Sequence, residues 1–258
     1  MVCGKKGQIT LFVIIGIIIL LVAGVFIYTG NRVNGSDFVD SILDGRNDRS
    51  LEGYVQSCMS TVGKDAVMQI TLQGGYYELE LPYFNAYLLS SPYYLNEGLV
   101  ENIPSIDTVE SNLAKYVFAN LHSCVGEFTG VKNYELINMT APTIDVHIEA
   151  DGVTFVVDYD AYFNDGDNIK EIQAVTYKYP VRIPTYLNIS KLLVESYLYD
   201  REVNYDDLLE ISGEYNIDIL TFDYGNSMSF VLVDKNKEYY FEDDKPVIYT
   251  FAIEGGMI

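Results

Sequence analysis

Basic residues are scarce in this sequence. Its 258 residues hold 16 Lys and Arg against 37 Asp and Glu, which gives a formal net charge of −21. Lys5, Lys6 and Arg32 precede residue 33, so residues 33–258 hold 13 basic and 37 acidic side chains, a net charge of −24. A surface of this charge repels nucleic acid and anionic lipid headgroups. We therefore expect no nucleic-acid partner, and we read the charge mainly as a source of solubility.

Recognisable catalytic and cofactor motifs are also missing. The sequence has no G-x-S-x-G, Walker A, H-E-x-x-H or Rossmann glycine pattern. Its two histidines, His122 and His147, have no nucleophile or metal-binding set beside them in the sequence, which favours exposed or capping roles. The acidic loop at residues 164–168, NDGDN, offers oxygen ligands for calcium but lacks the rest of an EF-hand loop, so a solvated turn is the main interpretation. We predict no enzymatic activity and no cofactor.

The longest apolar run is Ile9–Tyr28, which follows a short basic tail. Its 20 residues would make a helix of roughly 30 Å, the thickness of the hydrocarbon core of a bilayer. The run is longer than the apolar part of a secretory signal peptide and does not end in a small-residue cleavage site. We predict a cytoplasmic tail at residues 1–8, a transmembrane helix at 9–28, a hinge at 29–36 and an extracytoplasmic region at 37–258.

The order of residues around this run resembles the signal segment of archaeal type IV pilins and archaellins. Lys5, Lys6, Gly7, Gln8 and the apolar residues from Ile9 onward fit that pattern. The resemblance implies cleavage after Gly7, a mature chain that starts at Gln8, and self-assembly through the apolar helix. The sequence departs from the pattern at the fifth position after the cut, where it has Phe12 and many pilins have Glu.

The rest of the chain resembles membrane-anchored surface proteins of small-genome archaea that have no established activity. The resemblance lies in three segments, SCMSTVGKDAVMQITLQGGYY, IPSIDTVESNLAKYVFANLHSC and YTFAIEG. It implies a compartment and a lineage, and it implies no reaction.

The three cysteines fall on two sides of the predicted membrane. Cys3 is in the cytoplasmic tail, whereas Cys58 and Cys124 are outside, where disulfides persist. Each of these two lies on an apolar stripe with helical spacing, so two buried helix faces could meet at a bridge. We predict a Cys58–Cys124 disulfide. A metal site with His122 and Cys124 is the alternative, but it lacks a second pair of ligands.

The spacing of apolar residues predicts an α+β fold, with helices packed on an antiparallel sheet. Helices are expected at 37–45 and 50–73, the second ended by Gly74 and Gly75, and again from Ser105 or Asp107 to Gly126 with Glu110 completing a capping box. Alternation then predicts a hairpin at 144–159. Two further helices are expected at 190–199 and from Asn204, with Asp207 as the N3 partner, followed by four strands at 217–222, 229–234, 238–241 and 247–253. Residues 37–258 form one domain in this interpretation, or two that divide near residue 166.

Two sets of residues are candidates for surface roles. Core packing explains most of the 23 tyrosines, but a proline-broken segment holds a cluster that suits an exposed contact surface for a glycan or protein ligand: Tyr76, Tyr77, Tyr83, Tyr87, Tyr93 and Tyr94. Three N-x-S/T sequons make candidate glycosylation sites of Asn34, Asn138 and Asn188.

Three classes of function fit this pattern. The first is a pilin-like structural or adhesive protein of the cell surface, alone or within a filament, and it is the one we favour. The second is a permanently anchored extracytoplasmic binding module for a sugar or protein ligand. The third is an ectoenzyme of unrecognised kind.

Overall fold

The computed structural model describes residues 51–86, 89–97, 100–126, 128–129, 131, 134–166, 168–200, 204–241 and 244–255. These residues belong to one compact unit. The apolar run Ile9–Tyr28, the predicted helix at 37–45 and the residues Gly7, Gln8 and Asn34 lie outside the described residues. None of the helices in the described part of the chain is long and apolar enough to cross a membrane.

The fold is α+β, as the sequence predicts. Four α-helices are described, and we number them in chain order: α1 Leu51–Leu72, α2 Ile106–Val125, α3 Ile183–Asp200 and α4 Tyr205–Tyr215. The strands are β1 Tyr83–Ala86, β2 Leu89–Asn96, β3 Val100–Glu101, β4 Glu135–Met139, β5 Thr143–Glu149, β6 Gly152–Asp158, β7 Ala161–Asn164, β8 Ile169–Glu171, β9 Val175–Pro180, β10 Ile217–Asp223, β11 Ser227–Asp234 and β12 Ile248–Glu254.

The strands form three sheets. The largest has six strands in the order β1-β2-β12-β11-β10, with β3 also paired to β2, and only the β2–β12 pairing is parallel. The other two are antiparallel sheets of three strands, β4-β7-β8 and β5-β6-β9. Helix α1 packs against α2 and against strands β9 and β12, so it joins the largest sheet to the β5-β6-β9 sheet.

The two glycines after α1 end the helix as predicted. Gly74 and Gly75 have φ values of +56° and +87°, a region that L side chains rarely adopt, and the Gly75 amide donates to the Ile70 carbonyl at 2.8 Å. A Cβ on Gly74 would lie 2.6 Å from the Thr250 carbonyl oxygen, so the turn also needs glycine for space. This turn fixes the end of α1 against β12.

The start of α2 agrees with the first of its two predicted caps, Ser105, and not with the second, Asp107. Ser105 is the N-cap, and its hydroxyl accepts from the Thr108 amide at 3.2 Å. The predicted capping box with Glu110 is wrong, because Asp107 is already inside the helix. The Glu110 carboxylate instead accepts from the Ile148 amide of β5 at 2.7 Å, a contact between residues far apart in sequence.

The last two helices are also partly different from the prediction. Helix α3 begins at Ile183 rather than near residue 190, because Pro184 is tolerated in the first turn of a helix. Asn204 caps α4 as expected and accepts from the Asp206 amide at 3.0 Å. Asp207 does not act as the N3 partner, since its carboxylate lies 3.4 Å from the Ser196 hydroxyl of α3.

Two of the β predictions have opposite outcomes. The hairpin of β5 and β6 is confirmed, with Val146 opposite Phe155 in a continuous register. The predicted strand at 238–241 is wrong, because Lys237–Tyr239 is a short 3-10 helix. The ring of Tyr239 lies 5.0 Å from the Arg182 guanidinium.

Aromatic rings fill the core beside the largest sheet. Phe251 of β12 stacks between Phe230 of β11, at a centroid distance of 4.8 Å, and Tyr94 of β2, at 4.9 Å. Tyr186 of α3 covers Tyr249 on the same face of β12 at 5.5 Å. All five side chains are almost completely buried, so tyrosine is a core residue in this protein.

Candidate functional site

Cys58 and Cys124 are paired. The Cα atoms of Cys58 and Cys124 lie 5.7 Å apart, within the range for a disulfide. Cys58 is buried on α1, and Cys124 is in the last turn of α2, where the Tyr54 hydroxyl donates to its carbonyl oxygen at 3.3 Å. The pairing agrees with the sequence prediction, and it leaves Cys124 unable to bind a metal.

Both histidines are exposed. His147 is on the outward face of β5, and His122 is near the end of α2, where its backbone carbonyl accepts from the Gly126 amide at 2.7 Å. Within the described residues, no three His, Cys, Asp or Glu side chains are grouped to hold a metal ion.

The acidic loop after β7 uses its oxygen atoms to hold its own backbone. Asn164 accepts from the Gly166 amide at 3.0 Å, and Asp165 accepts from the Asn168 amide at 2.8 Å. Asp165 also forms an ion pair with Lys170 at 3.4 Å, and Asp167 lies outside the described residues. These contacts support the interpretation as a solvated turn.

The predicted tyrosine surface is divided by the fold. Tyr94 is fully buried, donates to the Gly74 carbonyl at 2.7 Å and shares a hydrogen bond with the Tyr249 hydroxyl. Burial raises the pKa of Tyr94 well above its ordinary value. Tyr93 is also buried, with its hydroxyl 2.8 Å from that of Ser227. For these two residues the prediction of an exposed surface is wrong, because both side chains are buried and their hydroxyls have partners inside the fold.

Tyr83 is the one predicted tyrosine whose side chain is described as exposed, at 46%. It lies on β1, opposite Pro92 of β2. Tyr87 lies outside the described residues.

Tyr76 and Tyr77 are half-buried and line a cleft of about 320 Å³. The Tyr76 hydroxyl donates to the Asn102 carbonyl at 2.8 Å, and burial raises its pKa. The Tyr77 ring meets Tyr116 edge to face at 5.4 Å. Three charged residues also line the cleft: Glu78, Glu80 and Lys115.

The polar groups that line this cleft suit the binding of a polar ligand. Asn112 is one of its polar residues, but its amide donates to the Gly75 carbonyl at 3.0 Å and so supports the turn after α1. The remaining groups are hydroxyls, amides, two carboxylates and an ammonium. They can donate and accept hydrogen bonds to a polar ligand, and no nucleophile is paired with a base among them.

A second candidate surface was not found by sequence reasoning. Leu220, Phe222 and Tyr224 are 47%, 46% and 48% exposed and follow one another at a spacing of two residues along and just beyond β10. We call these three residues the β10 strip. The ring of Tyr224 continues the strip to Phe84 of β1, at a centroid distance of 4.7 Å.

The signal for this surface was present in the sequence of β10, IDILTFD. Ile217 and Ile219 alternate with Leu220 and Phe222, so both faces of the strand carry apolar side chains. This pattern is typical of a strand buried on both faces. In the structure, the face of β10 that carries Leu220 and Phe222 is exposed, so these apolar side chains lie in solvent.

The chain was compared with known proteins at three levels. No family model, no curated protein sequence and no solved structure matches it.

Proposed function

We propose that this chain is a structural or adhesive protein of the cell surface, held at the membrane by Ile9–Tyr28 and acting through contacts of its acidic extracytoplasmic domain. The observation that carries the proposal is the β10 strip. Polar residues at these three exposed positions would cost the fold little, whereas a contact surface needs apolar ones.

The disulfide supports a location outside the cytoplasm. A Cys58–Cys124 bridge persists in an oxidising compartment and would be reduced in most cytosols. The net charge of −24 on residues 33–258 supports the same location, since it keeps a crowded surface protein soluble.

The segment around Gly7 supports a pilin-type route to the surface. Cleavage there would leave the apolar run Ile9–Tyr28 at the start of the mature chain. That run could sit first in the bilayer and then in a shared filament core, so self-assembly through it is part of the proposal.

The test begins with the N-terminus of the protein isolated from its own host. Mass spectrometry should find Gln8 as the first residue, and a Gly7→Leu variant should keep its tail, whereas Gly4→Leu should be processed normally.

Labelling of intact cells with a membrane-impermeant amine reagent should reach lysines in residues 51–255. An intact Met1 or Val2 terminus would end the pilin-type route and leave a permanent anchor. Labelling only after the cells are broken would overturn the surface function.

The tyrosine cleft favours a second candidate function, a permanently anchored binding module. Aromatic edges beside hydroxyl and amide groups suit a sugar or a polar segment of a protein. Because the chain has no Trp, its tyrosine emission is directly observable. Titration of the full chain in detergent with neutral oligosaccharides should change that emission, and Tyr77→Ala should abolish the change while Tyr199→Ala, at an exposed position on α3, should not. Equal responses from the two variants would exclude the cleft.

A further inference from the structure

We propose that β10 is a self-association edge, at which two copies of this chain pair antiparallel about a two-fold axis through Leu220. The pairing would extend each six-stranded sheet into the next copy. This inference rests on the proposed contact function and names the partner of the β10 strip.

Exposed sheet edges invite pairing with other chains, and native proteins usually block them. The described strands leave six sheet edges, and two of these are blocked by irregularity or by a side chain. Strand β4 has a register shift between Leu136 and Asn138. Strand β5 has its Ile148 amide occupied by the Glu110 carboxylate at 2.7 Å.

Three more edges are short or carry residues that discourage pairing. Strand β8 has three residues and includes Lys170. Strand β9 carries Lys178 and ends at Pro180, which has no amide hydrogen. The far side of β2 is divided between β1 and β3, of four and two residues.

Strand β10 has none of these features. It has seven residues in continuous register with β11, with no proline, lysine or bulge. Within the described part of the chain, no side chain hydrogen-bonds its outer edge. It is therefore the edge at which pairing with a second copy meets the least obstruction.

The backbone direction of β10 determines which groups are available. At its two ends, the Asn216 carbonyl accepts from the Lys235 amide at 3.2 Å and the Tyr224 amide donates to the Ser227 carbonyl at 2.9 Å. Hydrogen-bonded residues alternate in an antiparallel ladder, so the even-numbered residues face β11. The amides and carbonyls of the odd-numbered residues point outward, and these are Ile217, Ile219, Thr221 and Asp223.

A two-fold axis at Leu220 would pair all of these outward backbone amides and carbonyls with those of the second copy. It places Ile219 opposite Thr221 of the second copy and Ile217 opposite Asp223, so outward groups meet outward groups along the whole strand. The two Leu220 side chains then meet at the axis and join the two β10 strips.

The charges also fit this register. Asp218 would face Phe222 of the second copy and Asp223 would face Ile217, so no carboxylate lies opposite another, an arrangement that would be destabilising. Asp218 is in addition paired with Lys235 at 2.7 Å. The remaining repulsion is the long-range one between two acidic domains, which salt screens.

Cysteine cross-linking in the full chain tests the register. In a Cys3→Ser background, Leu220→Cys places two thiols at a non-hydrogen-bonded pair, where Cα atoms are about 4.5 Å apart and a disulfide can form. Asp218→Cys is the matched control on the same face, because its two copies would be roughly 13 Å apart along the strand. Mild oxidation in membranes should give a covalent dimer with Leu220→Cys and none with Asp218→Cys.

Co-expression of two different cysteine variants tests the register further. Chains with Asp218→Cys and chains with Phe222→Cys should each stay uncross-linked alone and should cross-link when co-expressed. Association through the apolar helix would bring all variants together equally, so it would not produce this pattern. The yield from Leu220→Cys should also rise with salt, since the Debye length falls from about 30 Å at 0.01 M to about 3 Å at 1 M.

Equal cross-linking of Leu220→Cys and Asp218→Cys, or none in either, would overturn the pairing. The N-terminal and surface-labelling tests do not involve β10. If those tests succeed while the cross-linking fails, the surface function stands without this partner. If they fail while the cross-linking succeeds, the chain self-associates through β10 but not at the cell surface.

Discussion

The guanidinium of Arg182 donates two parallel hydrogen bonds to the carboxylate of Asp234, each 2.9 Å long. Asp234 is fully buried, and two more donors reach it, the Tyr186 hydroxyl at 2.8 Å and the Asn236 amide at 2.9 Å. Burial, with a further contribution from Asp234, raises the pKa of Tyr186. Arg182 also donates to the Tyr215 carbonyl at 3.0 Å, so this residue, which directly precedes α3, contacts both the end of α4 and the end of β11.

Replacing Asp234 by Asn should destabilise the domain strongly. Removing one partner of a buried ion pair typically costs about 3 to 5 kcal/mol, and Arg182 is 15% exposed, so we expect the lower end of that range. The matched control is Asp218→Asn, which removes an exposed pair with Lys235 beside the same strand and should change the free energy of unfolding by less than about 1 kcal/mol. Urea unfolding of the full chain in detergent measures both. Equal effects would mean that the Arg182 pair is no more than a surface contact.

Local signals explain which parts of this fold could be predicted. The end of α1 follows from two glycines, and the β5–β6 hairpin follows from strict alternation, because each depends only on neighbouring residues. The pairing of Cys58 with Cys124 followed from two apolar stripes and a compartment, and it needed only the assumption that both stripes face one core.

The wrong predictions have a common physical origin, which is contact between residues far apart in sequence. Glu110 has the spacing of a capping box, yet its best hydrogen-bond donor is an amide of β5. Tyr93 and Tyr94 are polar enough for a surface, but partners on β11, on β12 and in the turn after α1 satisfy their hydroxyls and allow burial. The exposure of β10 depends on sheet order, which no local pattern in this sequence determines.

Removing the disulfide should weaken the domain without abolishing its topology. The bridge closes a loop with a sequence separation of 66 residues, and the chain-entropy model gives about 4 kcal/mol for such a loop, within the usual range of about 2 to 5 kcal/mol. Cys58→Ala should therefore lower the free energy of unfolding by this amount, and Cys58→Ala with Cys124→Ala should lower it about equally. Cys3→Ala is the control and should leave the value unchanged. A negligible change in the Cys58 variant would show that the bridge does not form in solution.

Tyr159 and Tyr94 should respond in opposite ways to loss of their hydroxyls. Both rings are buried, but the Tyr159 hydroxyl has no hydrogen-bond partner among the described residues, whereas Tyr94 contacts Gly74 and Tyr249. An unsatisfied buried polar group costs about 1 to 3 kcal/mol, so Tyr159→Phe should be neutral or stabilising and Tyr94→Phe should destabilise by about 1 kcal/mol or more. Thermal unfolding of the two variants against the parent chain measures the contrast. A lower melting temperature for Tyr159→Phe would reveal a partner such as a buried water.

Alkaline pH should destabilise the domain through its buried tyrosines. Burial raises the pKa of Tyr159 to about 12, and it also raises the pKa of Tyr94 and Tyr249. An unfolded tyrosine has a pKa of about 10. Below that value both states are protonated and stability is unaffected, whereas between about pH 10 and 12 the unfolded chain releases protons first and stability falls. Unfolding free energies at rising pH measure the slope. Tyr159→Phe should make it shallower, and Tyr199→Phe, at an 89% exposed position, should not.

Glycosylation should favour Asn138 over Asn188 among the described sequons. Asn138 is exposed on β4, beside the register shift of that edge strand. Asn188 lies inside α3 rather than before it, and its side-chain amide donates to the Tyr215 hydroxyl at 3.2 Å. An amide held in this way is less available for attachment of a sugar than one on an exposed edge.

In a host that glycosylates its surface proteins, glycopeptide mapping should find sugar on Asn138, together with Asn34 of the predicted hinge, and little on Asn188. Asn138→Gln should remove the first modification, and Tyr215→Phe should raise occupancy at Asn188 by freeing its amide. If Asn188 carries sugar while Asn138 is bare, local structure does not control the choice, and if all three sites are bare the chain is not exposed to the glycosylation machinery.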